Sequence, residues 1–371
     1  MKRFTMFFCL AMVFCLSYGQ NRMRRFQPHF KMQARMAPAD WFATAEARQT
    51  ADTILVYQFP SGGWAKNHRW NDPNPDDNEL HERAGLKQAM LTTGIGSTID
   101  NDATTSEILF LAKTYNATGE EKYRQAAIKG VRYLLNAQYK NGGWPQFWPS
   151  RGSGYDNVKP YADHITFNDD AMVNTMCVLW SIARNEAPYD CLKLSDQEMS
   201  QCQQAFDKGV ECILNCQMTI NGELTVWCQQ HDEVTLAPAH ARAYELPSYC
   251  SAESASIVKL LMELPNPDER VRKAVDAAMR WFEKTKITGY RYKRERDADG
   301  QWNAVIVKDE TADKLLWARF YDLEQCQPFF CDRDGIPRRN LSDIGSERRN
   351  GYGWYNDKPQ DLFPIYDKWK K

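Results

Sequence analysis

Four stretches of this chain place acids and arginines where helices break: Ile99-Asp100-Asn101-Asp102, Phe167-Asn168-Asp169-Asp170, Ala241-Arg242-Ala243-Tyr244 and Asp332-Arg333-Asp334-Gly335. Closely spaced carboxylates offer the oxygen donors that a hard cation such as calcium takes, and isolated guanidiniums offer the planar fork that holds a carboxylate. Together they suit a surface that grips an acidic polymer through metal and arginine. Each group also has a plainer reading. Asp102, just ahead of a helix expected from Ala103, could cap it by accepting its free amide hydrogens. Arg242 could be an ordinary loop arginine, and Arg333 could be tied into a surface turn by Asp332 and Asp334. The aspartates at 100 and 102 and those at 169 and 170 occupy similar points of two repeats. Four carboxylates converging there would repel one another unless a cation sat among them.

The repeats are visible directly. Gln58-Phe-Pro-Ser-Gly-Gly-Trp64 returns eighty positions later as Gln138-Tyr-Lys-Asn-Gly-Gly-Trp144, with a weaker echo at Gln217-Met-Thr-Ile-Asn-Gly222. Such a period signals one supersecondary unit used several times. Between these turns, apolar residues at helical spacing predict helix pairs over 103–115 and 121–137, 170–184 and 198–216, and 252–263 and 268–285. Strand-like alternation is confined to short pieces, 290–293 and 302–307. The expected fold is mainly α, an α/α toroid or partial barrel with its working loops on one face. Trp64 and Trp144 could plug the end of that toroid or offer a flat face to a sugar. Trp148, crowded with Trp144 and Phe147 between prolines, is a second candidate platform.

Lys2 and Arg3 precede an apolar run from Phe7 to Leu16, with small residues at Ser17 and Gly19, so residues 1–19 read as a cleaved export signal. That run is too short to span a bilayer. A flexible stretch over 20–39 and a single domain over 40–371 are expected to follow, in a protein that is secreted or periplasmic, monomeric and free of the membrane. Removing the leader leaves 45 Lys and Arg against 48 Asp and Glu. A mildly acidic surface disfavours nucleic acid and requires that any polyanion be bound by a local groove. Nine cysteines remain, in no zinc-binding pattern. Cys212 and Cys216 share a helix face and read as buried apolar thiols.

Six strings carry a family likeness: GGWPQFWP (142–149), ITFNDDAM (165–172), PAHARAYELPS (238–248), LWARFYDLE (316–324), CDRDG (331–335) and ERRNGYGWY (347–355). In this order and spacing the chain resembles the pectate lyases of polysaccharide lyase family 10 over about residues 40–366. The resemblance implies an α/α toroid, calcium dependence and anti β-elimination on polygalacturonate. It makes Arg242 the catalytic base, Arg319 and Arg333 ligands of the substrate carboxylates, and Asp102 with Asp169 or Asp170 the calcium-binding group, with Asp100 adjacent. Tyr244, Tyr352, Trp144 and Trp148 join the substrate-binding set. The loop CQQHD (228–232) and the cysteines Cys326 and Cys331 depart locally from the pattern.

The residue types agree with that chemistry. A uronate's carbon-five proton becomes removable when the adjacent carboxylate is neutralised, and no acid and nucleophile pair of carboxylates is required. An arginine base demands a strongly cationic, desolvated pocket or high pH. Arg242, flanked by alanines, is expected to lose its proton more readily than Arg333 between two aspartates. A glycoside hydrolase on the same fold would give saturated products, a cyclase would want an apolar cavity, and a binding protein would hold the polymer without cutting it.

Overall fold

The computed structural model describes residues 29–72, 74–149 and 161–371. The leader expected at 1–19 lies outside them. Helices α1 (Phe30–Met36), α2 (Ala45–Val56), α3 (Asp77–Thr92), α4 (Thr105–Thr118), α5 (Glu121–Asn136), α6 (Ala171–Ala183), α7 (Asp196–Cys216), α8 (Ser251–Met262), α9 (Glu269–Thr285), α10 (Ser346–Gly351) and α11 (Leu362–Trp369) follow in order. The three expected hairpins are present as α4–α5, α6–α7 and α8–α9. Part of the stretch expected to be flexible is instead helical: α1 packs on α4, with Phe30 and Ala34 fully buried.

Helices α4, α6 and α8 touch in succession, as do α5, α7 and α9, with α2 continuing the second series. Two concentric layers of helices result, the architecture of an α/α toroid. The helix starts follow local chemistry. Ser195 and Glu198 form a reciprocal capping box on α7, and Asp268 accepts the amide of Val271 at the start of α9.

What sets each repeat is a buried tryptophan. Trp64, Trp144, Trp227 and Trp317 are fully buried, and each indole N–H donates to a carbonyl near the end of an outer helix: Ile54, Leu134, Ile213 and Phe282 at 2.7–2.9 Å. A glutamine restrains the turn before the first three. Gln58, Gln138 and Gln217 each donate to two carbonyls, one in their own turn and one in the next outer helix (Ala126, Ala205 and Ala274). Gly142 sits at φ +92°, and a Cβ there would collide with the carbonyl oxygen of Lys208, so the turn can lie against α7 only as glycine. Trp144 is therefore a core plug, and the expectation that it offers a face to a sugar is corrected.

Short antiparallel pairs stitch the units along one face: Ile165–Thr166 with Gln230–His231, Tyr249–Cys250 with Phe320–Tyr321, and Trp317–Ala318 with Tyr355–Asn356. The strand expected over 290–293 is longer. Tyr290–Arg296 (β1) and Trp302–Lys308 (β2) form a projecting hairpin. All nine described cysteines are free thiols, and Cys212 and Cys216 lie buried on one face of α7, their sulfurs 4.0 Å apart.

Replacing Trp144 by Ala removes a filled core site and is expected to cost about 3–5 kcal/mol of stability. Urea unfolding measures it. Any variant that still folds should bind polymer as before, which a sugar platform at this position would not allow.

Candidate active site

Each plug tryptophan delivers the residue two positions later to the stitched face. Those residues are Lys66, Gln146, Gln229 and Arg319. The amides of Ile99, Phe167 and Ser251 donate to the carbonyls of Gln146, Gln229 and Arg319 respectively, so one backbone device presents all three. Lys66 pairs with Asp100, and Arg319 reaches back into the second repeat.

The aspartate turns are equivalent. In each, a short 3-10 turn holds two consecutive non-glycine residues in the left-handed region: Asn101 (φ 51°) and Asp102 (φ 60°), then Asp169 (φ 50°) and Asp170 (φ 62°). Such residues cost about 1–3 kcal/mol each and persist where surrounding contacts over-determine them, commonly at functional sites. The two turns pack on each other. Neither Asp102 nor Asp170 caps a helix by its side chain, so the capping reading of Asp102 fails. Asp102 instead accepts from Asn174 on α6 at 2.6 Å and pairs with Arg35 on α1 at 2.9 Å. Asp170 pairs with Lys358 at 3.0 Å through Oδ2, while its Oδ1 is buried without a partner. Asp169 lies 3.2 Å from Arg319. Asp100 is buried beneath its turn against Lys66, a counter-charge rather than an open ligand. Each carboxylate thus faces a cation, and the repulsion expected from sequence is already relieved.

Arg319 is almost wholly buried. It donates to Asn168 (3.1 Å), Asp169 (3.2 Å) and Glu253, which is itself 2 % exposed, and its guanidinium lies 4.7 Å from the Tyr352 ring. Burial works against its charge, but Glu253 and the surrounding groups hold it firmly cationic.

Arg242 differs from expectation. The alanines beside it in sequence do not set its surroundings. Glu245, 1 % exposed, accepts its Nε at 2.8 Å and Nη2 at 2.5 Å, and also the Tyr352 hydroxyl at 2.7 Å. Burial alone would ease proton loss from Arg242, yet the Glu245 hydrogen bonds and charge outweigh it and raise the affinity for the proton. Nη1 makes no hydrogen bond among the described residues, and the side chain is 43 % exposed, open to a substrate. Tyr244 and Tyr352 form the aromatic floor beneath the arginines. Arg242 lies 5.0 Å from the Tyr244 ring, Arg348 4.6 Å and Arg333 5.9 Å. Both tyrosines are buried, so they carry cations rather than stack on sugars. The Arg333 guanidinium is exposed and held by Glu347 at 3.1 Å, while Asp332 accepts from Arg333 only its backbone amide. Asp332 accepts the Gly345 amide and Asp334 pairs with Arg338. Trp148 is half-buried edge-on to Tyr133, its backbone bonded to Ser97.

Among the described residues the groups that bring three potential ligand atoms within 4.8 Å of one another are not the aspartate turns but His68, Glu79 and Glu82, and His164, Asp232 and Glu233. Both are internally engaged. Arg83 also holds Glu79, and His164 Nδ1 lies 2.8 Å from Glu233.

Residues 58–363 match the family model described as pectic acid lyase. The chain belongs to this family. Two solved structures of a family 10 polysaccharide lyase from Cellvibrio cellulosa agree. An aspartate-to-alanine mutant in complex with trigalacturonic acid shares 34 % identity at a TM-score of 0.74, covering 91 % of this chain and 95 % of that one. A second structure shares 35 % at 0.73, covering 89 % and 96 %. No curated protein matches significantly. The protein is an enzyme, a pectate lyase of polysaccharide lyase family 10.

In this pectate lyase, sequence reasoning missed Glu245, Glu253, Lys66, Lys358, Arg35 and Asn174. Glu245 stands three residues after Arg242 and could have been found as its i,i+3 partner. Lys66 follows from the plug tryptophan plus two. The others meet the site only through the fold.

The departing CQQHD loop is structural. His231 is fully buried, contacts the Leu236 carbonyl at 2.8 Å through Nδ1 and accepts the Cys228 amide through Nε2, and burial lowers its pKa from 6.5 to about 4. The unfolded chain therefore binds a proton that the folded one refuses. This contribution to stability is full above about pH 6.5 and is lost as the pH falls towards about 4. Comparing His231→Gln with wild type by denaturant unfolding at pH 7.5 and 4.5 should show the wild type losing more stability than the variant.

Proposed function

We propose that this pectate lyase cleaves polygalacturonate by calcium-dependent anti β-elimination, outside the cytoplasm, with Arg242 taking the carbon-five proton. The observation that carries the reading is the arrangement around Tyr352 and Tyr244, where Arg242, Arg319, Arg333 and Arg348 gather beside two paired aspartate turns. Guanidiniums suit the carboxylate of a uronate, and the related lyase from Cellvibrio cellulosa forms a complex with trigalacturonic acid. The export signal expected from the sequence at 1–19 supports this location. Among the described residues no helix is long and apolar enough to cross a membrane.

A calcium site is supported by the oxygen-only donor set of Asp102, Asp169 and Asp170 and by the buried, unpartnered Oδ1 of Asp170. Calcium held there would neutralise a uronate carboxylate and acidify the neighbouring carbon. Arg35 and Lys358, now paired with Asp102 and Asp170, are the cations it would displace.

The remaining work belongs to the chain. Arg319, fixed by Glu253, and Arg333, exposed at the rim, hold uronate carboxylates. Arg242 presents the free Nη1. In its neutral form this nitrogen takes the carbon-five proton. The electron pair left behind forms the double bond to carbon four, and the glycosidic oxygen leaves carbon four and is protonated from solvent. Glu245 fixes the guanidinium geometry but strengthens its hold on the proton, so turnover should rise steeply towards alkaline pH.

Near-ultraviolet absorbance of polygalacturonate with the enzyme at alkaline pH should rise with calcium and stop with a chelator. Reducing ends without that absorbance would mean hydrolysis. Arg242→Ala should lower turnover by roughly 10²- to 10⁴-fold while polymer binding persists. Near-normal turnover would remove Arg242 as base. Separately, Asp102→Asn and Asp170→Asn should each weaken calcium binding measured calorimetrically without substrate, whereas Asp100→Asn should affect it less.

A further inference from the structure

The β1–β2 hairpin is outside the site just described. Register places Arg294 opposite Ala304 and Arg296 opposite Trp302, so Arg294, Arg296 and Trp302 share a face with Tyr290 and Tyr292. This face is unusual in a mildly acidic chain. Trp302 is 52 % exposed, with the Arg296 guanidinium 4.1 Å from its ring centre. Arg296 otherwise donates only to the Gly300 carbonyl, and Arg294 makes no ion pair or hydrogen bond among the described residues. One guanidinium without a carboxylate partner therefore lies over an exposed indole, and a second stands at the neighbouring position of the same face.

The base of the hairpin connects this face to the active site. Tyr292 packs on Tyr355, and the Ala304 amide donates to Asn350 on α10, the helix that also carries Arg348. A cleft of about 340 Å³ lies there, lined by Tyr290, Tyr292, Lys314, Tyr355, Asn356 and Asp357. The next residue, Lys358, is the one that pairs with Asp170. Along β1 the side chains of one face recur about every 7 Å, so the positions from Tyr290 to Arg296 lead away from the cleft as a ladder of aromatic and cationic groups.

We propose that this hairpin face and the cleft at its base form a second binding site for polyuronate, holding the same polymer beyond the sugars at the cleavage centre. The proposal rests on the polygalacturonate reading above. Charge complementarity selects the occupant, since unpaired guanidiniums hold carboxylates and the exposed indole can stack on a sugar face. A chain long enough to engage both sites gains effective concentration at the cleavage centre, and a short oligomer gains nothing.

The test compares wild type with Arg294→Ala/Arg296→Ala/Trp302→Ala, following unsaturated product from trigalacturonate and from long polygalacturonate. The triple variant should raise KM for the polymer by roughly three- to tenfold, leave kcat on both substrates and KM on the trimer unchanged, and differ less from wild type in high salt, where the guanidinium contribution is screened. Arg294→Lys/Arg296→Lys should recover most of the polymer affinity. A polymer KM within twofold of wild type would overturn the proposal, and so would an equal rise on trimer and polymer. Failure of the wild type to form unsaturated product from either substrate would instead defeat the lyase chemistry. A gel-shift of the variants in inert polygalacturonate under chelation reads the binding face without turnover, and unchanged mobility there would also overturn it.

Discussion

The hydrogen bond from a buried indole to the end of an outer helix is the constraint on which the rest of this protein depends. It occurs four times, and each instance fixes both the depth of a turn and the direction in which the chain leaves it. Because the same backbone path follows each tryptophan, the residue two places on arrives at a predetermined point of the working face. Evolution can therefore change that residue without moving its neighbours. In the first repeat it is a lysine that neutralises a buried aspartate. In the last it is an arginine committed to two carboxylates and an asparagine. A large apolar side chain with a polar tip suits this duty, since its ring fills the layer while its N–H is satisfied by a carbonyl near the end of the helix.

On the working face, charge is balanced pair by pair. Glu245 and Glu253 are almost inaccessible to water, and each is occupied by an arginine, which makes removing either acid more disruptive than losing one contact. Without Glu253 the buried Arg319 would keep only Asp169, at 3.2 Å, as a counter-ion, and without Glu245 Arg242 would lose both hydrogen bonds that orient its guanidinium. The arginines consequently behave as fixed instruments. Their backing by Tyr244 and Tyr352 adds cation–π attraction from below and limits how far they can swing. Arg333 differs in that its partner at the rim is an exposed glutamate.

The helical hairpins, the repeat and the reactive strings were legible in the sequence because they depend on local spacing. Trp227 and Trp317 were not recognised as the same device, since Thr225-Val226-Trp227 and Leu315-Leu316-Trp317 lack the paired glycines of the first two turns. Helix α3 also escaped notice. Its side chains are mostly exposed, with Arg83 alone buried, so it carries almost no apolar period. The surroundings of Arg242 are not legible in sequence because two alanines adjoin it while its electrostatics come from a carboxylate three residues away and a tyrosine more than a hundred residues on. Trp144 is ambiguous for a parallel reason, as a tryptophan beside glycines looks the same in sequence whether it faces solvent or the core.

The aspartate turns have a further consequence. Arg35, from a helix that precedes the first repeat, and Lys358, from the segment that follows the last, meet these turns from opposite ends of the described chain. The toroid is thus fastened at the place where it works. Exchange of those two cations for another positive partner would loosen the seam between the chain's two ends, so ligand loading and the mechanical closure of the ring share one set of carboxylates.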